Sequence, residues 1–421
     1  MIEKLINSNI LNVLLCIVVI TIPLKSTFNS IFIILLLLYS IFFICVKHKE
    51  IVFKPSKEVL ILILPYIFIL IQGFYSEWNS FSKNMIRSLP IIIFPLIFFY
   101  LKPWLKIATR KLVLKTLIFS AIGYSLFLLI FAFYRQIQYK PDFSIINWYF
   151  FTYYDFTEVL DVHPSYLGMF LCLSFAVILN TFLSSKKKAF KNILLLSFLG
   201  LIIFLSGSRI ALVCLILIIL NLLFFKMKNL NNNKKITLVL LIIAFPVLIL
   251  NFVPIVKERM IDMTFGLKNT YQYAKYGDKG KDNNYNGGLT PRFLIWSCAI
   301  DVGNRNYFLG SGFGTTQKYL NSCYLSKNLE SFAEQNYQTH NQYFSNYARG
   351  GFLGLFVLLI LYFYSLVFSL KRKQILHLSL LIIIIVASLT ENILNRQFGI
   401  VFFAFFNSLF FFSSNKITHE I

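Results

Sequence analysis

His340 is the residue whose type and surroundings point most clearly to chemistry. It precedes Asn341 in the sequence QTHNQYFSNYARGGFLG, at the start of a long apolar run that the Gly350-Gly351 pair interrupts. A neutral imidazole accepts protons near neutral pH, and histidine is the side chain most often used as a general base. We therefore predict that His340, where a polar loop meets this run, abstracts a proton from a substrate.

Two arginines beside other apolar runs are candidates for binding an anion. Arg209 follows Ser206-Gly207-Ser208, a turn that lets backbone N–H groups approach a ligand, and Arg87 lies in NMIRSLP. A guanidinium group binds two anionic oxygens at once, so both arginines suit an anionic ligand. The alternative for each is extension toward lipid headgroups, which is common for arginines near the ends of membrane spans.

His163 is a second candidate histidine, in the sequence DVHPSYLG next to Asp161. Pro164 suits the first turn of a helix, so a structural cap is the default interpretation of His163 and a role in a site is the alternative.

Several common catalytic motifs are missing from the sequence. HExxH, GxxxxGK[ST], GxSxG and paired CxxC motifs do not occur, and neither predicted outer loop contains an Asp-x-Asp pair. We therefore expect a mechanism without a metal or cofactor, in which arginines supply the positive charge.

The composition shows what kind of protein must position these residues. Of the 421 residues 57% are hydrophobic and only 14% charged, whereas soluble domains are about a quarter charged. Alternation of apolar and polar residues, typical of membrane β-barrels, is absent from the apolar runs. The sequence therefore predicts an all-α, polytopic helical membrane bundle. About twelve spans are expected, near 9–24, 27–46, 58–74, 86–101, 112–134, 163–184, 191–206, 209–226, 235–253, 343–370, 374–390 and 397–414.

The net charge of +23 is distributed unevenly between the two predicted faces. With the N-terminus inside, the cytoplasmic segments hold 22 of the 40 lysines and arginines but only four of the 17 acidic residues. This asymmetry follows the positive-inside rule and makes nucleic acid an unlikely partner. We predict that both termini are cytoplasmic and that the candidate residues lie on the outer face.

Two long segments fall outside in this topology, and they divide the chain. Residues 1–253 hold nine spans with an outer loop at 135–162, residues 254–342 form a long outer loop that carries site residues, and residues 343–421 hold three spans and a cytoplasmic tail. Long polar loops in a compact bundle are usually functional. Cys298 and Cys323 share the second loop and could form a disulfide in an oxidising compartment, although spacing alone leaves this open.

The motif around His340 resembles the O-antigen ligase and polymerase superfamily of polytopic glycosyltransferases. The family's ligase signature is His followed by Asn, Ser or Gln, nine residues, Gly, two residues, and then Gly, Thr or Tyr. His340-Asn341, Gly351 and Gly354 fit this signature without a gap. The signature is specific when it stands at the outer mouth of a span, but it separates ligases from polymerases poorly.

Other segments carry the same resemblance. PRFLIWSCAIDVGNRNYFLGSGFG at 291–314 is similar to a part of the family's outer loop in which an Arg precedes a Trp, and this match adds Arg292 and Trp296. The SGSR turn, the HPSY sequence at 163–166 and TENILNRQFG at 390–399 also resemble family segments.

The resemblance implies inverting transfer of a glycan from undecaprenyl diphosphate to an acceptor hydroxyl, such as one on the lipid A core or another glycan. This reaction would occur at the outer face of a bacterial cytoplasmic membrane. The resemblance further implies that Arg209 and Arg292, with Arg87 as a third ligand, bind the donor diphosphate and that His340 is the base. Asn341, Trp296, His163, Gly351 and Gly354 support the site, and membrane lipid surrounds it.

Three other functions compete with transfer by a ligase. A repeat-unit polymerase of the same superfamily fits the motifs nearly as well. A flippase or secondary transporter usually has two related halves with a site near the bilayer midplane, and the sequence shows no such repeat. A membrane scaffold without enzymatic activity would leave the histidine signature unexplained.

Overall fold

The computed structural model describes residues 8–47, 56–139, 146–184, 190–226 and 290–413, and over these residues it is helical with no β-strand. Short 3₁₀ turns connect several of the helices. In chain order the α-helices are α1 (Ser8–Thr21), α2 (Ser26–Val46), α3 (Lys57–Gln72), α4 (Trp78–Ser88), α5 (Pro90–Tyr100), α6 (Ile107–Tyr139), α7 (Tyr153–Thr157), α8 (Pro164–Ser184), α9 (Phe190–Leu205), α10 (Arg209–Lys226), α11 (Thr290–Arg305), α12 (Thr316–Ser326), α13 (Glu330–Glu334), α14 (Gln342–Lys371), α15 (Ile375–Ala387) and α16 (Gln397–Phe412).

Seven helical segments of the described chain are long and apolar enough to cross a membrane. Four further apolar helices, α1, α9, α15 and α16, are shorter. The predicted ninth span, 235–253, lies outside the described residues. The helical membrane class is therefore confirmed, whereas the count of twelve spans stays a prediction. The seven long segments are Ser26–Val46, Lys57–Tyr75, Trp78–Tyr100, Ile107–Tyr139, Pro164–Ser184, Arg209–Lys226 and Gln342–Lys371.

Two predicted spans have different boundaries in the structure. The span predicted at 86–101 is preceded by α4, which begins at Trp78 and joins α5 at Pro90. The span predicted at 112–134 extends over the whole of α6, because polar residues at both ends continue the helix beyond its apolar centre. Hydropathy marks the apolar part of a helix and not the ends of its hydrogen-bonded backbone.

Helix α8 lies at the centre of the bundle, with most of its length buried by α6, α9, α10 and α15. Helix α16 is buried along nearly its whole length and packs on α5, where Phe405 meets Phe94 and Phe98 edge to face. By contrast, α2, α3 and α6 expose many apolar side chains. Apolar outer surfaces of this kind suit contact with lipid.

Residues that are far apart in the sequence meet at one end of the bundle, which we call the site end. The hydroxyl of Tyr75, after α3, donates to the carbonyl oxygen of Leu309 at 3.1 Å. The hydroxyl of Tyr166, in the first turn of α8, donates to the carbonyl oxygen of Asn392 at 3.3 Å. The connections after α3, before α8 and after α15 therefore share this end with the chain that follows residue 290.

The opposite end of the bundle gathers basic residues that the sequence assigns to the cytoplasm. Lys226 donates to the carbonyl oxygen of Asn180 at 3.2 Å, and Arg110 donates to the hydroxyl of Ser413 at 3.4 Å. The two groups of segments that the positive-inside rule separates thus lie at opposite ends. Which end faces the cytoplasm stays a prediction.

Helices α11, α12 and α13 form a small second core on the site end, together with the first residues of α14. A disulfide between Cys298 on α11 and Cys323 on α12 joins two of these helices, which settles the pairing that the sequence left open. Tyr324 is fully buried beside this bond. The described part of the predicted outer loop is therefore a packed helical unit.

Gly351 interrupts α14 and is the point where the helical unit meets the membrane bundle. Its φ of 57° lies in the left-handed region, and the helix bends there. The N–H of Phe352 donates to the carbonyl oxygen of Tyr307 at 2.7 Å, and the N–H of Gly312 donates to the carbonyl oxygen of Arg349 at 2.8 Å. A side-chain carbon at Gly351 would lie only 2.4 Å from the oxygen of Tyr307.

We expect Gly351→Ala to destabilise the protein by at least about 1–3 kcal/mol, because it combines an unfavourable φ with a backbone collision. Thermal unfolding in detergent would measure the loss. Gly123→Ala is the matched control, since a carbon added at Gly123 on α6 meets nothing within 4 Å. Equal melting temperatures for the two variants would contradict this account of Gly351.

Candidate active site

His340 occupies a strained backbone position directly before α14. Its φ of 44° is left-handed, which is uncommon for a residue other than glycine and is concentrated at functional sites. Asn341 caps the helix: its side-chain oxygen accepts hydrogen bonds from the N–H groups of Tyr343 at 2.9 Å and Phe344 at 3.1 Å. The cap holds the chain at the helix start, so the position of the imidazole is set by the backbone on its C-terminal side.

Asn392 holds the residues on both sides of His340. Its side-chain oxygen accepts from the N–H of Asn341 at 2.9 Å and from the hydroxyl of Thr339 at 2.8 Å. The side-chain amide of Asn341 also donates to the carbonyl oxygen of Leu389 at 3.0 Å. The segment after α15 and the segment before α14 are thus joined by buried hydrogen bonds, and this rigid joint positions His340.

Glu391 lies between the two histidines that the sequence singled out. Its carboxylate oxygens are 3.7 Å from Nδ1 of His340 and 3.9 Å from Nε2 of His163, distances of ion-pair contacts rather than of hydrogen bonds. Glu391 is buried, and the side chains of the two histidines are about one-third and one-quarter exposed. We call these three residues the histidine–glutamate cluster.

The charges in this cluster are set by burial and by the neighbouring basic groups. Burial raises the pKa of the Glu391 carboxyl, but His340, His163 and Arg292 outweigh it and hold that pKa below its usual value. Burial also lowers the pKa of His163, although the attraction of Glu391 opposes this. At neutral pH Glu391 is therefore ionised and the His163 ring is neutral.

The two predicted diphosphate ligands, Arg292 and Arg209, lie on different helices, and Arg292 acts electrostatically on the cluster. Arg292 is in the first turn of α11, and its charge acts on both Glu391 and His163. Arg209 begins α10 next to Ser208, whose hydroxyl donates to the hydroxyl of Ser165 at 3.3 Å. The guanidinium of Arg292 on α11 therefore lies beside the cluster. The start of α10 lies next to the first turn of α8, which follows His163.

Trp296 supports the chain that leads to His340. Its indole N–H donates to the carbonyl oxygen of Thr339 at 3.0 Å, and its ring packs against Phe344 at 5.5 Å between centroids. Trp296 therefore links α11 to both sides of the His340 position. Gly351 and Gly354, the other supporting residues, act through the bend in α14, where the side-chain amide of Asn346 donates to the carbonyl oxygen of Gly354 at 3.3 Å.

Arg87 lies on the site end but makes its contacts with a different set of residues. Its guanidinium donates to the carbonyl oxygen of Asn395 at 3.2 Å and lines a cavity of about 280 Å³ together with Arg349 and Lys83. The residues that line this cavity do not include His340. The structure thus brings His340, His163 and Arg292 together and puts Arg87 in a neighbouring cavity.

Glu391, Asn392 and Arg349 are site residues that sequence reasoning missed. Glu391 had a signal, because an acidic residue at the end of an apolar run is costly and therefore informative. Arg349 lies within the nine-residue interval of the histidine signature, where the signature specifies no residue type. Asn392 had no signal in a single sequence, since its importance comes from the three groups that it joins.

Comparison with known families identifies part of the chain. Residues 193–359 match the family model of O-antigen ligases, which confirms the resemblance indicated by the motifs. Among curated proteins, none matches the chain. Arg87, His163 and Glu391 lie outside the matched range, which contains Arg209, Arg292, Trp296, His340, Asn341, Gly351 and Gly354.

Proposed function

We propose that this chain, which by its residues 193–359 belongs to the O-antigen ligase superfamily, transfers a glycan from undecaprenyl diphosphate to an acceptor hydroxyl. The lipid A core is the proposed acceptor. The observation that carries the proposal is the pairing of His340 with the ionised carboxylate of Glu391, beside Arg292. A base, a group that orients it and a cation for a leaving phosphate are what such a transfer requires.

The proposed chemistry is a single displacement. Glu391 faces Nδ1 of His340, which leaves Nε2 to accept the proton of the acceptor hydroxyl. The hydroxyl oxygen forms the new bond to the anomeric carbon while the bond from that carbon to the diphosphate oxygen breaks. Attack opposite the leaving group inverts the anomeric configuration, and undecaprenyl diphosphate departs with the electron pair.

Arg209 and Arg292 are the proposed ligands of the departing diphosphate. A diphosphate is a stable anion, so it needs charge stabilisation more than protonation, and guanidinium groups match its paired oxygens. Their starting points in α10 and α11 would hold the diphosphate near the histidine–glutamate cluster. The acceptor then enters on the side of His340.

A strain that lacks the chain tests this function and separates it from repeat-unit polymerisation. We expect finished polymer to accumulate on the lipid carrier, because ligation follows polymerisation. Restoration by the wild-type gene but not by Arg292→Ala, made at equal abundance, would link the phenotype to the site. A lone repeat unit on the final acceptor would instead identify a polymerase and refute the ligase assignment.

The site end is proposed to face outward from the cytoplasmic membrane, with both chain termini inside. In a background with Cys45→Ser, we expect an impermeant thiol reagent to label Lys318→Cys in intact cells and to miss Ser184→Cys. Lys318 is exposed on α12 at the site end and Ser184 is exposed at the opposite end of α8. Labelling of Ser184→Cys alone would reverse the proposed orientation.

A further inference from the structure

The cavity that Arg87 lines carries an excess of positive charge. It lies between α4, the chain around residues 313–320 and the start of α14, and Lys83, Arg87 and Arg349 all line it. None of the described residues that line it is an Asp or Glu, and no ion pair among the described residues involves Arg87 or Arg349. Three cationic side chains around one space without a carboxylate favour an anionic occupant.

The two arginines are held in fixed positions by one residue. The carbonyl oxygen of Asn395 accepts from Arg87, and its side-chain oxygen accepts from Arg349. The guanidinium of Arg349 also lies over the ring of Phe313, 4.8 Å from the centroid. Holding two like charges on one asparagine opposes their repulsion, and it leaves the remaining N–H groups available for an anion.

The rest of the lining suits a sugar. It combines hydroxyl and amide groups, from residues such as Thr316, Gln317 and Gln338, with the apolar surface of Phe313 and Leu320. Hydroxyls and amides bind the hydroxyls of a sugar ring, and apolar side chains cover its C–H faces. The volume of about 280 Å³ equals that of about nine water molecules and is close to the lower limit of small-molecule pockets, which fits one monosaccharide unit.

The cavity is also adjacent to the histidine–glutamate cluster. Thr339 and Asn392 line it, and each is the chain neighbour of a cluster residue, His340 and Glu391 respectively. An occupant of the cavity therefore lies next to the segment that presents His340. We propose that this cavity is a subsite for a negatively charged monosaccharide unit, carrying a carboxylate or a phosphate, of a glycan substrate. This inference rests on the proposed glycan transfer.

Direct binding tests the subsite without requiring transfer. The purified full chain, in nanodiscs of neutral lipid, would be titrated with glucuronate, glucose 6-phosphate, glucose and pyrophosphate. We expect an anionic sugar to bind and glucose to bind at least about tenfold more weakly. Arg349→Gln should weaken the binding of the anionic sugar at least about tenfold, which is the effect of losing one charge-assisted hydrogen bond.

Arg87→Gln is the second variant, because Arg87 is exposed and its replacement should not disturb folding. Arg305→Gln is the matched control: Arg305 is also at the site end, but it stacks on Tyr319 outside the cavity lining, and its loss should leave binding unchanged. Equal binding of glucose and glucuronate, or full affinity in both cavity variants, would overturn the subsite. Binding of pyrophosphate without either anionic sugar would also overturn it and would assign Arg87 to the donor diphosphate.

His340→Ala separates this inference from the proposed function. The variant should bind the anionic sugar as the wild type does, because His340 is not part of the cavity lining. If the wild-type chain binds the sugar but shows no glycan transfer, the subsite is supported and the proposed transfer reaction is refuted. If the chain transfers glycan normally but does not bind the sugar, the transfer reaction is supported and the subsite is refuted.

Discussion

A His340→Ala variant is expected to lose turnover by roughly 10²–10⁴-fold, the range typical for removal of a general base. Donor affinity should stay nearly unchanged, because the proton is abstracted only in the transition state. The measurement is glycan transfer by purified protein, with donor binding determined separately. Arg209→Ala should differ by weakening donor binding as well as turnover, since a diphosphate ligand contacts the ground state too.

A purely structural role for His340 makes a different prediction. If the residue served only to start α14, its loss would lower the melting temperature and the abundance of the protein along with activity. Ser322→Ala is the control variant, because Ser322 is exposed on α12 and its replacement should leave melting temperature, abundance and activity unchanged. A stable, correctly inserted His340→Ala protein with wild-type turnover would eliminate the base assignment.

Glu391→Gln is expected to lower turnover at least about tenfold, because the neutral amide no longer stabilises the positive charge that the His340 ring acquires when it takes up the proton. The shape of the side chain is kept, so an effect on kcat reports the lost charge. Glu330→Gln is the matched control, since Glu330 is exposed on α13 at the same end of the protein. Donor affinity should change little in either variant.

Combining the two substitutions distinguishes a positioning residue from a structural one. If Glu391 acts through His340, the double variant His340→Ala with Glu391→Gln should be no slower than His340→Ala alone, because groups that act as a unit are not additive. Multiplied losses in the double variant would show that Glu391 acts independently of the base, for example by stabilising the segment after α15.

Local sequence pattern predicted much of this fold. The apolar runs located the spans, and the Gly350-Gly351 pair marked an interruption that the structure has at Gly351. Pattern also found His340 and His163, because both are polar residues at the edges of apolar runs. These features are local: a span is identified by the composition of its own residues, and a break by its own glycines.

The contacts between segments could not be predicted in the same way. Glu391 and His163 lie far apart in the sequence, and their proximity depends on how α8 and α15 pack. Residue type and predicted face group Arg87 with the diphosphate ligands, whereas its neighbours in the structure come from the packing of α4 against the segment after α15. One sequence contains no record of such pairings.

The disulfide between Cys298 and Cys323 has a consequence for sample handling. It stabilises the unit from which Trp296 supports the segment before His340. Both cysteines are buried, so a thiol reductant cuts this link only when the unit opens enough to admit it, and activity would then decline while the membrane helices remain intact. Dithiols also bind metal ions through their thiolates, so such a decline would resemble the removal of a metal. Chelation experiments on this protein therefore call for EDTA in reductant-free buffer.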